Sequence, residues 1–206
     1  MRDEKYPPSV SDGMVVPYRS FVPTRALSSK IPGAGTGLFS EDVIAKYTWI
    51  GLYPGKVTSK TNRKLASHTM GTSRDLYIIA DPGVKTGVHM VNEATVGFGE
   101  ANVYYVKLSH SGYVLYFAGR DIEKGEELFT CYSRNYMKRP YSVPKTCADP
   151  RCANNPKHRT HSGLNDAPEA WREELRARMP PGVSQEIFDD SKSDTRAVEI
   201  QDDVEE

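Results

Sequence analysis

Gly119-Arg120-Asp121-Ile122-Glu123-Lys124-Gly125-Glu126-Glu127-Leu128-Phe129-Thr130-Cys131-Tyr132 is the stretch on which the fold turns. It reads as a strand end, a polar turn closed by Lys124-Gly125, and a second strand finishing at a tyrosine. Alone it is a polar connection between two strands. Its meaning depends on what stands before it.

Working back along the chain, Val91-Asn92-Glu93-Ala94 is followed by Glu100-Ala101-Asn102-Val103. Asparagines beside strand-like runs usually mark turns. Further back, Ile31-Pro32-Gly33-Ala34-Gly35-Thr36-Gly37-Leu38-Phe39 has glycines at alternate positions. Such spacing lets the backbone turn tightly and approach a ligand closely, although a structural hairpin uses it equally well. It is not a dinucleotide fingerprint, because the third glycine comes too early and no amphipathic helix follows.

In this order and spacing, the three segments together resemble the SET-domain family of protein-lysine methyltransferases. Gly51-Leu52-Tyr53-Pro54-Gly55-Lys56-Val57 resembles the family's Tyr-x-Gly strand, and Tyr77-Ile78-Ile79-Ala80-Asp81 its central tyrosine-containing strand. The resemblance covers residues 25–136. It implies a mainly β fold of several small curved sheets with a C-terminal pseudoknot that brings the Asn92 segment beside Tyr132. It also implies S-adenosyl-L-methionine as methyl donor, with the backbone at Gly35, Gly37 and Leu38 against it. Asn92, Glu93 and Tyr132 complete that donor site. Tyr132 is the expected catalytic residue, with Tyr53 and Tyr77 as walls of an aromatic lysine channel, where ring faces suit cationic amines. For Tyr53 and Tyr77 core packing is an equal reading. The implied substrate is a lysine-containing protein or peptide, histone tails first and a non-histone protein second, and the implied location is the nucleus, with the cytoplasm as the other candidate.

The sequence departs from the family in places. The usual Asn-His is Asn92-Glu93, the usual Pro-Asn is Ala101-Asn102, and Thr95-Val96-Gly97-Phe98-Gly99 extends the loop between them. The residue before the final tyrosine, often aspartate, is Cys131. These changes motivate an alternative, a catalytically silent SET domain that serves as a protein-binding module.

Downstream, Cys147 and Cys152 are spaced like the last two cysteines of the family's zinc-binding segment, with Lys145 where the first would stand. His158 and His161 could complete a zinc set with them; two free thiols in a basic, exposed segment are the competing reading. His68, His89 and His110 show no partner pattern and read as surface or turn histidines.

The chain has 206 residues, long enough for one well-buried domain with tails. Hydrophobic residues make up 38%, so part of the chain is expected to be exposed. Formal net charge is zero, which gives no reason to expect nucleic-acid or membrane binding. The charge is unevenly placed: residues 134–161 hold seven Lys/Arg against Asp149, and residues 183–206 hold nine Asp/Glu against Lys192 and Arg196. Three cysteines are too few for a disulfide scaffold, and no apolar leader or membrane-length run is present, so the reading is a soluble, intracellular, reduced protein.

The organisation expected is a lead-in over 1–24, a SET domain over 25–136, a basic segment over 137–163, a C-terminal helix over 164–182 and an acidic tail over 183–206. Strands are expected at 48–53, 76–80, 101–108 and 113–118, the last two joined by a hairpin turn at 109–112. A helical turn is expected at 62–69. Within the C-terminal segment, Asp166 can cap a helix in which Trp171, Leu175 and Met179 recur at a spacing of four.

Overall fold

The computed structural model describes residues 9–59, 68–72, 76–81, 83–107, 111–132 and 141–143. Twelve short strands appear in chain order: β1 Val15–Val16, β2 Arg19–Ser20, β3 Thr24–Ser28, β4 Thr36–Ser40, β5 Trp49–Leu52 and β6 Gly55–Ser59, then β7 Thr69–Gly71, β8 Leu76–Ile79, β9 Asn92–Glu93, β10 Val103–Lys107, β11 Val114–Ala118 and β12 Phe129–Thr130. They form two four-stranded sheets, ordered β1-β6-β8-β7 and β10-β11-β5-β2, and two pairs, β3-β4 and β9-β12. A 3-10 turn, Val88–Met90, precedes β9. The fold is mainly β and built of small sheets, as expected.

The sheets share a main core, and a smaller cluster of Ala94, Phe129 and Cys131 sits at the β9-β12 junction. β5 and β11 lie side by side within their sheet, and every residue of both is buried. Their near-continuous apolar runs follow from being covered on both faces. Trp49 meets Phe117 at 5.5 Å between ring centroids, and Leu38, Ile50, Val57, Ile78, Leu115, Ile122 and Leu128 fill the interior. No helix among the described residues is long and apolar enough to cross a membrane.

The expected strands at 48–53, 76–80, 101–108 and 113–118 are present as β5, β8, β10 and β11, a residue or two shorter at their ends. β10 and β11 pair antiparallel, as the hairpin reading requires. At 62–69, residues 62–67 lie outside the described residues, and Thr69 opens β7 rather than closing a helical turn. The helix at 164–182, the basic segment beyond residue 143 and the acidic tail also lie outside them.

Two connections place the site. The glycine segment is the loop of the β3-β4 hairpin, closed by Ser29 N–H donating to the Gly35 carbonyl at 2.8 Å. Gly33 and Gly35 sit at φ 78° and 74°, a conformation that favours glycine. The second connection joins segments distant in sequence. β12 pairs parallel with β9, Phe129 opposite Asn92 and Thr130 opposite Glu93. Ala94 N–H donates to Thr130 O at 2.9 Å, and Val96 N–H to Ser142 O at 3.0 Å, extending the contact beyond Tyr132.

Asn102 is a structural residue of this junction. Its amide nitrogen donates to Glu126 Oε1 at 3.0 Å and the Glu127 carbonyl at 2.9 Å, while its oxygen accepts from Phe129 N–H at 2.8 Å. Glu126 also binds Arg120 and accepts from Glu123 N–H. Burial is the largest single influence on the Glu126 carboxyl and disfavours its charge. The hydrogen bonds from Arg120, Asn102 and Glu123, with the Arg120 charge, together outweigh it and hold the group below its ordinary 4.5. A carboxyl depressed in the folded state stabilises fully above its unfolded value and loses that contribution as pH falls through the folded value. The melting-temperature advantage of the native protein over Glu126→Gln is therefore expected to be constant from neutral pH down to about 5 and to shrink below about 4.5, as thermal denaturation at stepped pH would record.

Candidate active site

Tyr132 is held at both ends by the strand it runs beside. Its backbone N–H donates to Glu93 Oε1 at 3.0 Å, and its hydroxyl donates to the Val91 carbonyl, also at 3.0 Å. The hydroxyl has given its proton to Val91, so toward a ligand it can only accept. Glu93 is 3% exposed, and its other oxygen accepts from the Tyr141 hydroxyl at 3.0 Å. Its side chain thus fixes the Tyr132 backbone to the chain beyond it.

The tyrosine ring faces a cavity of about 120 Å³ lined by Tyr53, Tyr105, Tyr116, His68, His89 and Lys107 among others. Tyr105 and Tyr116 stand opposite each other across the β10-β11 pair, 5.5 Å between centroids, and Tyr53 stacks on Tyr116 at 6.4 Å. Burial, then the neighbouring Tyr53, Tyr105 and Tyr132, push Tyr116 well above the ordinary phenol value. Burial and the Glu93 charge push Tyr105 up as well. Both remain neutral phenols, so the walls are aromatic and carry no phenolate charge.

Beside Tyr132, three segments meet at Asn92. The Asn92 amide nitrogen lies 3.1 Å from the Thr36 carbonyl and 3.4 Å from Glu127 Oε1. Both neighbours are acceptors, so the nitrogen faces them and the amide oxygen faces away, able to accept from an ammonium group. Glu127 is 1% exposed and accepts from Ser29 Oγ at 2.6 Å and Lys30 N–H at 2.7 Å. A Cβ on Gly37 would run into the Glu127 carboxylate and lie 3.3 Å from the Asn92 nitrogen, so a side chain there would displace the Glu127 brace. Gly35 has nothing within 4 Å of its Cβ position and opens its backbone to a ligand.

The SET domain family model matches residues 35–133. The chain is a SET-domain protein. Similar solved structures include the Chaetomium thermophilum polycomb repressive complex 2, at 20% identity over 60% of this chain and 17% of that one, with a TM-score of 0.47. An active polycomb repressive complex 2 in the stimulated state matches at 18% identity over 66% and 18%, TM-score 0.48. An autoinhibited conformation bound to S-adenosylmethionine matches at 19% over 56% and 16%, TM-score 0.43. The match thus spans less than a fifth of the length of those chains. No curated protein sequence matches.

Within this SET domain the structure brings together Gly37, Leu38, Asn92, Glu93 and Tyr132, with Gly35 at the end of the neighbouring loop and Tyr53 across the cavity. Tyr77 is not a lining residue. Strand alternation sends Ile78 into the core, 0% exposed, and turns Tyr77 to the other face of β8, against Gly71. Of the reading of His89 as a surface or turn histidine, the turn holds, since it lies in Val88–Met90, but the surface does not: it is 8% exposed and lines the cavity. Burial, then His68, lowers its basicity against the Val84 carbonyl and Asp81, so the imidazole is neutral at pH 7. His68 is exposed at the same cavity, and His110 lies outside the described residues.

Tyr105, Tyr116, His89 and Lys107 had no motif to mark them. One signal was available: a turn centred on 109–112 pairs residue 105 with residue 116, the register observed.

The expectation of reduced cysteines is corrected at Cys131, which is buried and disulfide-bonded. Cys147, Cys152, His158 and His161 lie outside the described residues. Among the described residues no group of three or more His, Cys, Asp or Glu could hold a metal.

Proposed function

We propose that this SET domain is an S-adenosyl-L-methionine-dependent protein-lysine methyltransferase. The observation that carries the reading is Tyr132, fixed at both ends by the Asn92 strand and facing an aromatic cavity on one side of it. The donor fits the chemistry of the chain beside that cavity. It is a small molecule with an ammonium and a sulfonium, and the Asn92 oxygen and the open backbone at Gly35 suit the ammonium. Bound there, it supplies an activated methyl group on a cationic sulfur.

The protein's own work is alignment. Tyr53, Tyr105 and Tyr116 confine the target side chain, and the Tyr132 oxygen orients the amine and supports the polarised methyl through weak C–H···O contacts. Only the neutral amine has a lone pair, and a narrow cavity walled by neutral aromatic rings favours loss of the ammonium proton.

Histone tails are the substrate class to assay first and a non-histone protein the second; a nuclear, chromatin-associated role accompanies the histone reading. Methyl transfer from labelled donor into a histone mixture and a cell extract tests the function. Incorporation abolished by Tyr132→Phe supports it; none with either mixture counts against it. A second reading, a silent SET domain that binds protein partners, rests on Glu93 standing where the family carries histidine. Calorimetric titration separates them, because a silent module of this kind takes up no donor. Metal analysis of the whole chain with and without reductant tests zinc at Cys147, Cys152, His158 and His161, because in a chain of three cysteines a Cys131 disulfide and a zinc set using both Cys147 and Cys152 exclude each other.

A further inference from the structure

The tyrosine cavity has a basic side that methyl transfer does not use. Lys107 lines it from β10 with Nζ 6.0 Å from the centroid of the Tyr105 ring. The same nitrogen is 3.9 Å from the position a Cβ on Gly71 would take, so it lies between β10 and β7. Lys107 is half-buried, and burial alone pulls its ammonium below the ordinary value, with no carboxylate offsetting it. His89 lines the cavity with Nδ1 buried and without a hydrogen-bond partner. His68 stands 6.0 Å from His89.

Among the described residues that line the cavity none is acidic. The nearby carboxylates are engaged elsewhere: Glu93 with Tyr132 and Tyr141, and Asp81 with Gly83 N–H. A partly desolvated ammonium without a counter-charge is unfavourable, and a ligand carboxylate would relieve it.

Position says which part of a ligand would do so. The cavity, at about 120 Å³, is well below the roughly 300–1,000 Å³ of a drug-sized pocket, so it takes one side chain. His68 and Thr69 are the exposed residues of its lining and Lys107 lies against Gly71 beside them, which puts the opening on that side. A lysine entering beside Tyr132 therefore leaves its sequence neighbours at Lys107.

We propose that the cavity selects lysines flanked by an acidic residue, with Lys107 as the counter-charge beside His68 and the neutral imidazole of His89. The inference rests on the methyltransferase reading for the identity of the inserted side chain. Peptides whose lysine is flanked by Lys or Arg meet like charge and are disfavoured.

The test is fluorescence anisotropy of the full chain with two labelled peptides identical except for Glu or Arg beside a central lysine. The native protein is expected to bind the Glu peptide about tenfold more tightly, the size of one partly shielded charge pair, with the contrast shrinking in salt. Lys107→Glu is expected to reverse the order and Lys107→Met to abolish the contrast. Equal binding, a preference for the Arg peptide, or no binding of either by the native protein overturns the proposal. So does a contrast unchanged in Lys107→Met, which keeps the test decisive if the charge reversal fails to fold. Donor titration is separate: its failure removes the methyltransferase reading, whereas loss of the peptide contrast removes only the acidic-flank selection.

Discussion

Tyr132→Phe is expected to lower kcat for methyl transfer by roughly 10²–10³-fold, the range for removing one well-placed polar group at a reacting centre. The substitution removes a single oxygen and keeps the ring. The hydroxyl is fixed by donation to Val91 at 3.0 Å, so it needs no reorganisation to meet the amine and the transferring methyl. Its loss removes an interaction made mainly in the transition state, which lowers kcat and kcat/KM together. Folding should suffer little, by about 1 kcal/mol for one hydrogen bond, because the Tyr132 backbone remains tied to Glu93. Donor affinity, read by calorimetry, should stay within a few-fold. A kcat loss below about tenfold would place the hydroxyl away from the reacting atoms. A loss confined to KM would make it a binding group only.

Glu127→Ala is expected to have the largest effect on stability, about 3–5 kcal/mol, with loss of measurable donor binding. Glu127 accepts from Ser29 Oγ, Lys30 N–H and Asn92 Nδ2, and is 1% exposed. Hydrogen bonds to a charged acceptor contribute roughly 1.5–3 kcal/mol each, and a buried donor left without its partner adds its desolvation cost. The same carboxylate joins the loop after β3, β4 and β9, so its removal frees the segments that frame the donor site. Denaturant unfolding gives the stability change and calorimetry the binding. A variant with native midpoint but no donor uptake would make Glu127 a ligand contact rather than a brace. Unchanged values of both would refute its role here.

The longer strands were legible because their composition carries the signal. Residues 114–118 and 49–52 are apolar without interruption, which a strand buried on both faces requires. β9 and β12 were not legible as strands. Each has two residues, too few for any period, and their pairing joins positions about 37 residues apart. Only the ordered family motifs placed Asn92 beside Tyr132. Glu93 was visible as a departure, but its double hydrogen bond to Tyr132 and Tyr141 depends on burial at that junction. The Tyr77 motif fixes the strand and not the face, and its ring lies against Gly71 rather than in the lining of the cavity.

The parallel pairing of β9 with β12 also sets a schedule. The β3-β4 hairpin is complete by Ser40, yet the carboxylate that braces its loop, Glu127, emerges almost ninety residues later in synthesis. Closing so long a loop carries an entropy cost that must be met before its contacts return anything, which slows assembly. A nascent chain that has not yet emerged past Ser142 lacks both the Tyr141–Glu93 bond and the clasp on Val96. Among the described residues the Tyr132 segment is therefore the last to be clasped, and a ribosome-bound chain shorter than this holds most of the β core without that clasp.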